Sequence, residues 1–198
     1  FAGTVDSLKC LDAFHADFGA SNRAGETGVH VAAYWGNVEV LKYLFDKKLS
    51  FDDVDNEGNN AYVLAVSGKQ REALEYVSSV CKPEVLKRAI LAAAAVGDVG
   101  ILKCVAQRFG ELEERLAGKV FFACLDAYVG DEDVILWVLG EEFMNNFNVN
   151  SKSREGDCAI HKACLFKMEK VVAKLLDMGA RIESVNKKGM TPLVIAGW

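Results

Sequence analysis

Cys158 and His161 lie three residues apart, a spacing that lets a thiol and an imidazole form a nucleophilic pair. Such a pair needs a third group to orient the base, and none stands nearby in the sequence. Asp53-Val54-Asp55-Asn56-Glu57-Gly58 places oxygen ligands on alternate residues and glycine sixth, as the first half of a calcium loop does. That loop requires a bidentate glutamate at its twelfth position, which here is Leu64. His30 and His161 form the other candidate ligand pair, and His15 stands apart near an expected loop. The acidic pairs Glu113-Glu114 and Glu141-Glu142 read as solvated faces, and the chain has no glycine-rich phosphate loop. None of these sets is complete, so we expect no catalytic, cofactor or metal site.

A repeat positions these residues. Gly25 and Gly58 are 33 residues apart, as are Gly156 and Gly189. Around them run GETGVHVAAYWGN, GDCAIHKACLFKM and GMTPLVIAGW. A 33-residue period with a Gly-x-Thr-Pro-Leu-His-x-Ala-like core resembles the ankyrin repeat. The resemblance implies an all-α fold: an ankyrin-type solenoid of stacked helix pairs with hairpin-like finger turns, irregular in the middle repeats. Each unit reads as a turn, a first helix, a short break and a second helix. In the clearest unit the turn is Arg23–Glu26, the first helix about Gly28–Tyr34, the break Gly36-Asn37 and the second helix about Val38–Asp46.

Apolar residues recur at helical spacing in the second-helix slots. They are Val40, Leu41 and Leu44; Leu8 and Leu11 upstream; Leu74 and Val77; Ile101, Leu102 and Val105; Val134, Ile135 and Val138; and Val171, Val172 and Leu175. Ala32, Ala65, Ala93 and Ala163 fill the slot where adjacent first helices approach. The break runs Gly3, Gly36, Lys69, Gly97, Gly130, Lys167, so one repeat is short near Val80–Glu84 and one is extended near Glu141–Asn146. Pro83 suits a helix start. The expected division is one solenoid over 1–198. It comprises a partial repeat 1–22, repeats at about 23–55, 56–82, 83–117, 118–153 and 154–186, and a partial repeat 187–198. Both ends fall inside a repeat, as expected of a piece of a longer ankyrin-repeat protein. The third and fourth units depart most from the pattern at their turns.

The repeat register reassigns the candidate chemistry. His30 and His161 occupy the same slot four repeats apart. With stacked helix pairs about 8–10 Å apart, they lie on the order of 35–40 Å from each other. The resemblance gives each a structural role, bonding neighbouring turn backbone. Cys158 fills the slot of Thr27, so its proximity to His161 follows from the repeat.

Composition narrows the partner. Lys and Arg number 23 against 28 Asp and Glu, a net charge of −5, and no basic block appears. That balance gives no support to nucleic-acid binding, which rests on phosphate neutralisation. The longest apolar run, Ala89–Val96, is far short of the about 20 residues a membrane helix needs. Six cysteines without a Cys-x-x-Cys motif match neither a disulfide framework nor a zinc ribbon. They point to free thiols and an intracellular compartment, cytoplasmic or nuclear.

In the family, the two positions before the break face the groove and vary with the partner. Here they are Phe1-Ala2, Tyr34-Trp35, Ser67-Gly68, Ala95-Val96, Tyr128-Val129 and Leu165-Phe166, followed by Trp198. Most are apolar, and aromatic side chains are enriched at binding hot spots. The expected function is a non-enzymatic protein–protein interaction module that binds a protein or peptide through the concave groove and finger turns. The expected partner-binding residues are Tyr34, Trp35, Tyr128, Leu165, Phe166 and Trp198 in the groove, with Arg23, Glu26, Asn56 and Glu57 on the turns. No cofactor, nucleic acid or membrane insertion is implied. The alternative is a regulatory or spacer segment of a larger protein whose enzyme, channel or ligase activity lies outside this chain.

Overall fold

Helix signals in this chain are short and capped, and the computed structural model turns them into pairs of brief helices. It describes residues 4–81, 87–108, 112–140 and 144–197. Twelve helices and no strand occur among them; two isolated β-bridges, Ser21 with Thr27 and Lys152 with Cys158, close turns. The chain parts into two compact units, Phe1–Cys104 and Val105–Trp198.

The first unit contains α1 (Val5–Ala13), α2 (Gly28–Trp35), α3 (Val38–Asp46), α4 (Ala61–Ser67), α5 (Arg71–Val80), α6 (Lys87–Val96) and the start of α7 (Val99–Ala106). First helices α2, α4 and α6 stack in sequence, and α3 packs on α5. Ala32, Ala33, Ala65 and Ala93 are buried at that seam, where small side chains let the backbones approach. Gly68 shows how close: a Cβ there would fall 2.0 Å from the Tyr34 carbonyl oxygen. The predicted second-helix residues Val40, Leu41, Leu44, Leu74, Val77, Ile101 and Leu102 are all buried.

Leu11 departs from the expected pattern. It is 51% exposed and Leu8 is half-buried, because α1 packs mainly along α3. Polar bonds fasten it there. The Tyr43 hydroxyl donates to Asp12 Oδ2 at 3.1 Å, and Lys47 Nζ donates to the same oxygen at 2.5 Å. The Lys47 hydrogen bond holds the Asp12 carboxyl below its ordinary range.

The second unit contains the rest of α7, then α8 (Glu114–Ala127), α9 (Glu132–Gly140), α10 (Ala159–Leu165), α11 (Glu169–Asp177) and α12 (Pro192–Ala196). Here α8, α10 and α12 are the stacked first helices, and α9 packs on α11. Val105, Val134, Ile135, Val138, Ala163, Val171 and Leu175 are buried as the slots require, whereas Val172 is half-buried. The α8 helix is longer than α2, 14 residues against 8, and starts four residues before the expected repeat boundary at 118.

Helix breaks follow the register read from the sequence. Gly36, Gly97 and Gly130 have φ of 75°, 71° and 83°, and Lys69 and Lys167 adopt the same left-handed conformation at 57°. Glycine takes this conformation without cost, whereas a residue with a Cβ is strained there. Gly3 and Pro83 lie outside the described residues, as do 141–143 of the expected extension.

Candidate functional site: finger turns and an exposed aromatic pair

Four turns share one set of bonds. In each, a polar side chain at the first position accepts backbone N–H bonds from two and four residues on. Asn22 Oδ1 accepts from Ala24 at 2.9 Å and Glu26 at 3.0 Å; Asp55 Oδ1 accepts from Glu57 at 2.9 Å and Asn59 at 2.8 Å. Ser153 Oγ accepts from Glu155 and Asp157, both at 3.2 Å; Asn186 Oδ1 accepts from Lys188 at 2.9 Å and Met190 at 3.0 Å. The glycine three residues after each cap is left-handed and donates its N–H to the cap residue's carbonyl. These caps are the residues that the glycine-based reading missed, although their 33-residue spacing (22 to 55, 153 to 186) was available in the sequence.

Asp55 is nearly buried. Desolvation alone would raise its carboxyl, but bonds from Asn59 and Glu57, with His30 nearby, bring it below the ordinary value. Its oxygens are therefore engaged by the turn itself. Among the described residues, no group of three or more His, Cys, Asp or Glu converges to hold a metal ion.

Both repeat histidines bond turn backbone. Thr27 N–H donates to His30 Nδ1 at 3.1 Å, which puts the ring proton on Nε2, and Nε2 donates to the Asp53 carbonyl at 3.0 Å. Cys158 N–H likewise donates to His161 Nδ1 at 3.1 Å, and Nε2 reaches the Ser184 and Met190 carbonyls at 3.0 and 3.2 Å. The Cys158 thiol is buried and donates to the Asn150 carbonyl at 3.6 Å, so it belongs to the capping turn. Burial pushes the Cys81 and Cys124 thiols up to about 12. His15 is exposed and left-handed in the loop after α1.

Adjacent turns are also joined to each other. Asn56 N–H donates to the Ala24 carbonyl at 2.9 Å, and its side-chain amide donates to the Arg23 carbonyl at 3.0 Å. In the second unit the equivalent backbone bond runs from Lys187 to the Glu155 carbonyl at 3.1 Å. After the turn at 55–59, Arg88 takes over this task. Its guanidinium donates to the Gly58 carbonyl and, at 3.3 Å, to the Glu57 carbonyl.

The expected partner-binding residues divide into several groups. Tyr34 and Trp35 are 42% and 62% exposed and form an edge-to-face pair with centroids 5.5 Å apart. Trp35 lies on the lip of a cleft of about 850 Å³ lined by Leu8, Phe18, Val31, Val40 and Leu44. Arg23, Asn56 and Glu57 are exposed at turn tips; Glu26 is half-buried and accepts from Asn22 Nδ2 at 2.7 Å. The Asn56 side-chain amide is thus already engaged by the neighbouring turn. Leu165 is exposed, Phe166 is half-buried, and Trp198 lies outside the described residues, as do Phe1 and Ala2.

Tyr128 corrects the expectation. It is only 6% exposed, because α8 ends before it and Tyr128 leaves the helix at φ −112°, ψ 48°. That turn carries its side chain inward and leaves Val129 exposed.

Known proteins agree with this arrangement. Residues 1–89 match the family model described as ankyrin repeats, in three copies. Over 96% of the chain, the fold is similar to the ankyrin repeat domain of Bcl-3, a member of the IkappaB protein family, with a TM-score of 0.71 at 18% identity and 86% of that domain covered. The human ASB11 ankyrin repeat domain matches with a TM-score of 0.64 at 19% identity, covering 86% of this chain and 77% of that one. Among curated sequences, 96% of the chain is 26% identical to L-asparaginase of Dirofilaria immitis, and 79% is 26% identical to synphilin-1 of Mus musculus. The chain spans only 27% and 17% of the lengths of those two relatives.

Proposed function

We propose that this ankyrin-repeat chain is a non-enzymatic module that binds a protein or peptide partner through the face carrying Tyr34 and Trp35 and through the adjacent turn tips. Ankyrin repeats generally serve protein–protein interaction, and the observation that supports this finer reading is the exposed Tyr34–Trp35 pair, whose Trp35 lines the apolar cleft. Large rigid aromatics that bury on binding are the side chains most often found to dominate an interface. Neither ring is needed to fill the core of the first unit, so binding and folding are separable at this site. The test is affinity capture from native lysate with wild type and the Tyr34→Ala/Trp35→Ala variant, matched for thermal stability. A partner retained only by wild type, and weakened about thirtyfold or more when remeasured pure, supports the reading. Equal capture by both baits overturns it for this face. As a control, Ala163→Leu overpacks a buried helix seam and lowers stability by about 1–3 kcal/mol.

A second reading is favoured by the two curated relatives, each of which extends far beyond the matched region. The chain would then be a regulatory or spacer segment of a larger protein whose activity resides in another domain. Sequencing the complete gene decides it: a flanking catalytic, channel or ligase domain supports this reading, and a gene that encodes repeats alone removes it.

A further inference from the structure

Two pairs of finger turns in this chain share a backbone and differ in charge. Residues 152–157 and 181–190 of the second unit correspond, position for position, to residues 21–26 and 50–59 of the first. The first-unit segments hold one base, Arg23, against Glu26, Asp52, Asp53, Asp55 and Glu57. The second-unit segments hold Lys152, Arg154, Arg181, Lys187 and Lys188 against Glu155, Asp157 and Glu183. The turn tips therefore change sign from acidic to basic on an otherwise common scaffold.

The acids inside the basic segments are largely committed. Glu155 accepts from the Ser153 hydroxyl at 3.0 Å, and Asp157 accepts from Asn186 Nδ2 at 2.8 Å. Bonds from the backbone and from Ser153, with the Lys162 and Lys187 charges behind them, hold the Glu155 carboxyl below its ordinary range. Only Glu183 among the three is an exposed acid with no such bond described. Lys152 Nζ is spent on the Val185 carbonyl at 2.9 Å. That leaves Arg154, Arg181, Lys187 and Lys188 exposed, the first and last two of them on the turns, and no ion pair among the described residues involves any of the four.

These cations stand on a fixed base. The Lys187 N–H to Glu155 carbonyl bond joins the two tips, and Asn150 clamps the following loop by accepting from Arg181 N–H at 2.9 Å and donating to the Gly179 carbonyl at 3.1 Å. A preorganised group of like charges raises the encounter rate and selectivity for a segment of opposite sign.

We propose that the tips at Arg154, Lys187 and Lys188 form a docking surface for an acidic, Asp/Glu-rich peptide segment of a partner protein. The proposal rests on reading the chain as a binding module, but it uses residues separate from Tyr34 and Trp35. The probe is a fluorescein-labelled Glu/Asp-rich peptide, titrated by anisotropy against the whole chain and against the Arg154→Glu/Lys187→Glu/Lys188→Glu variant. All three side chains are exposed, so the variant should fold, and an unchanged melting curve confirms it. Binding by wild type that weakens about tenfold or more in the variant and fades as salt shortens the Debye length supports the proposal. Single-stranded oligonucleotide and heparin serve as competitors. No measurable peptide binding overturns the proposal, as does an unchanged affinity in the variant, or a polyanion that binds more tightly than the peptide. Repeating the titration with Tyr34→Ala/Trp35→Ala keeps the two sites apart: unchanged peptide affinity there, whatever the lysate capture shows, assigns the acidic segment to the tips alone.

Discussion

The turns at residues 22–26 and 55–59 and those at 153–157 and 186–190 use the same bonds with different atoms. One pair is capped by Asn22 and Asp55, the other by Ser153 and Asn186. An amide, a carboxylate and a hydroxyl all serve, because the turn requires only an acceptor close enough to reach two backbone N–H groups. Side chains that face outward are free of this requirement, and there the two pairs diverge in charge. Backbone demands and surface chemistry are thus written at different positions of the same segment, and either can change without the other.

The sharpest test of that equivalence lies in the two histidines. Replacing His161 with Leu strands the Ser184 carbonyl and the Cys158 N–H inside the second unit and leaves the Met190 carbonyl with the Asn186 N–H alone, which should cost about 2–4 kcal/mol in urea unfolding. His30→Leu strands the Asp53 carbonyl and the Thr27 N–H in the same way and should cost about as much. A loss at one histidine well beyond that at the other would break the equivalence.

The turn caps come next in size. Asp55→Ala should destabilise by about 1–2 kcal/mol and Ser153→Ala by about 1 kcal/mol. Asp55→Asn should keep the cap, as Asn22 and Asn186 do, but remove its charge. Because folding lowers the Asp55 carboxyl from 3.8, its ionised form stabilises the fold above that value, and the contribution is lost as pH falls through the lower folded value. Wild type should therefore lose stability in acid relative to Asp55→Asn, while wild type and Ser153→Ala run parallel. Chemical unfolding across acidic pH measures both differences.

The smallest effect compares one break in each unit. Lys69 and Lys167 are left-handed where Gly36, Gly97 and Gly130 stand in other repeats. Lys69→Gly and Lys167→Gly should each raise stability by about 0.5–1 kcal/mol, read as an increase in denaturation midpoint.

Much of this organisation was legible in the sequence because it depends on spacing. The break register from Gly36 to Lys167 marks positions where the chain must turn left-handed, and every break among the described residues does so. Apolar slots and small alanines likewise carry a period set by helix stacking. What spacing did not give was which way a side chain turns once a helix ends. Tyr128 and Tyr34 both stand two residues before a break glycine, yet Tyr34 is helical and exposed, and Tyr128 follows the end of α8 and is buried. Leu11 has the right spacing too, but burial also needs a neighbour over that face, and α1 packs mainly on α3. The caps at 22, 55, 153 and 186 escaped notice because three residue types share one task. The change of sign between the turn tips is also written in the sequence; the geometry adds which acids are already occupied.

Arg88 has a consequence for how such a chain tolerates change in length. Where the break spacing contracts from 33 to 28 residues, its guanidinium reaches back to the Glu57 and Gly58 carbonyls, which in the other turn pairs have a backbone amide of the following turn beside them. One long cation thus seals the edge of a turn across a shortened repeat. A shorter connection on one side of that edge is then compatible with an unchanged turn on the other, through a single side chain.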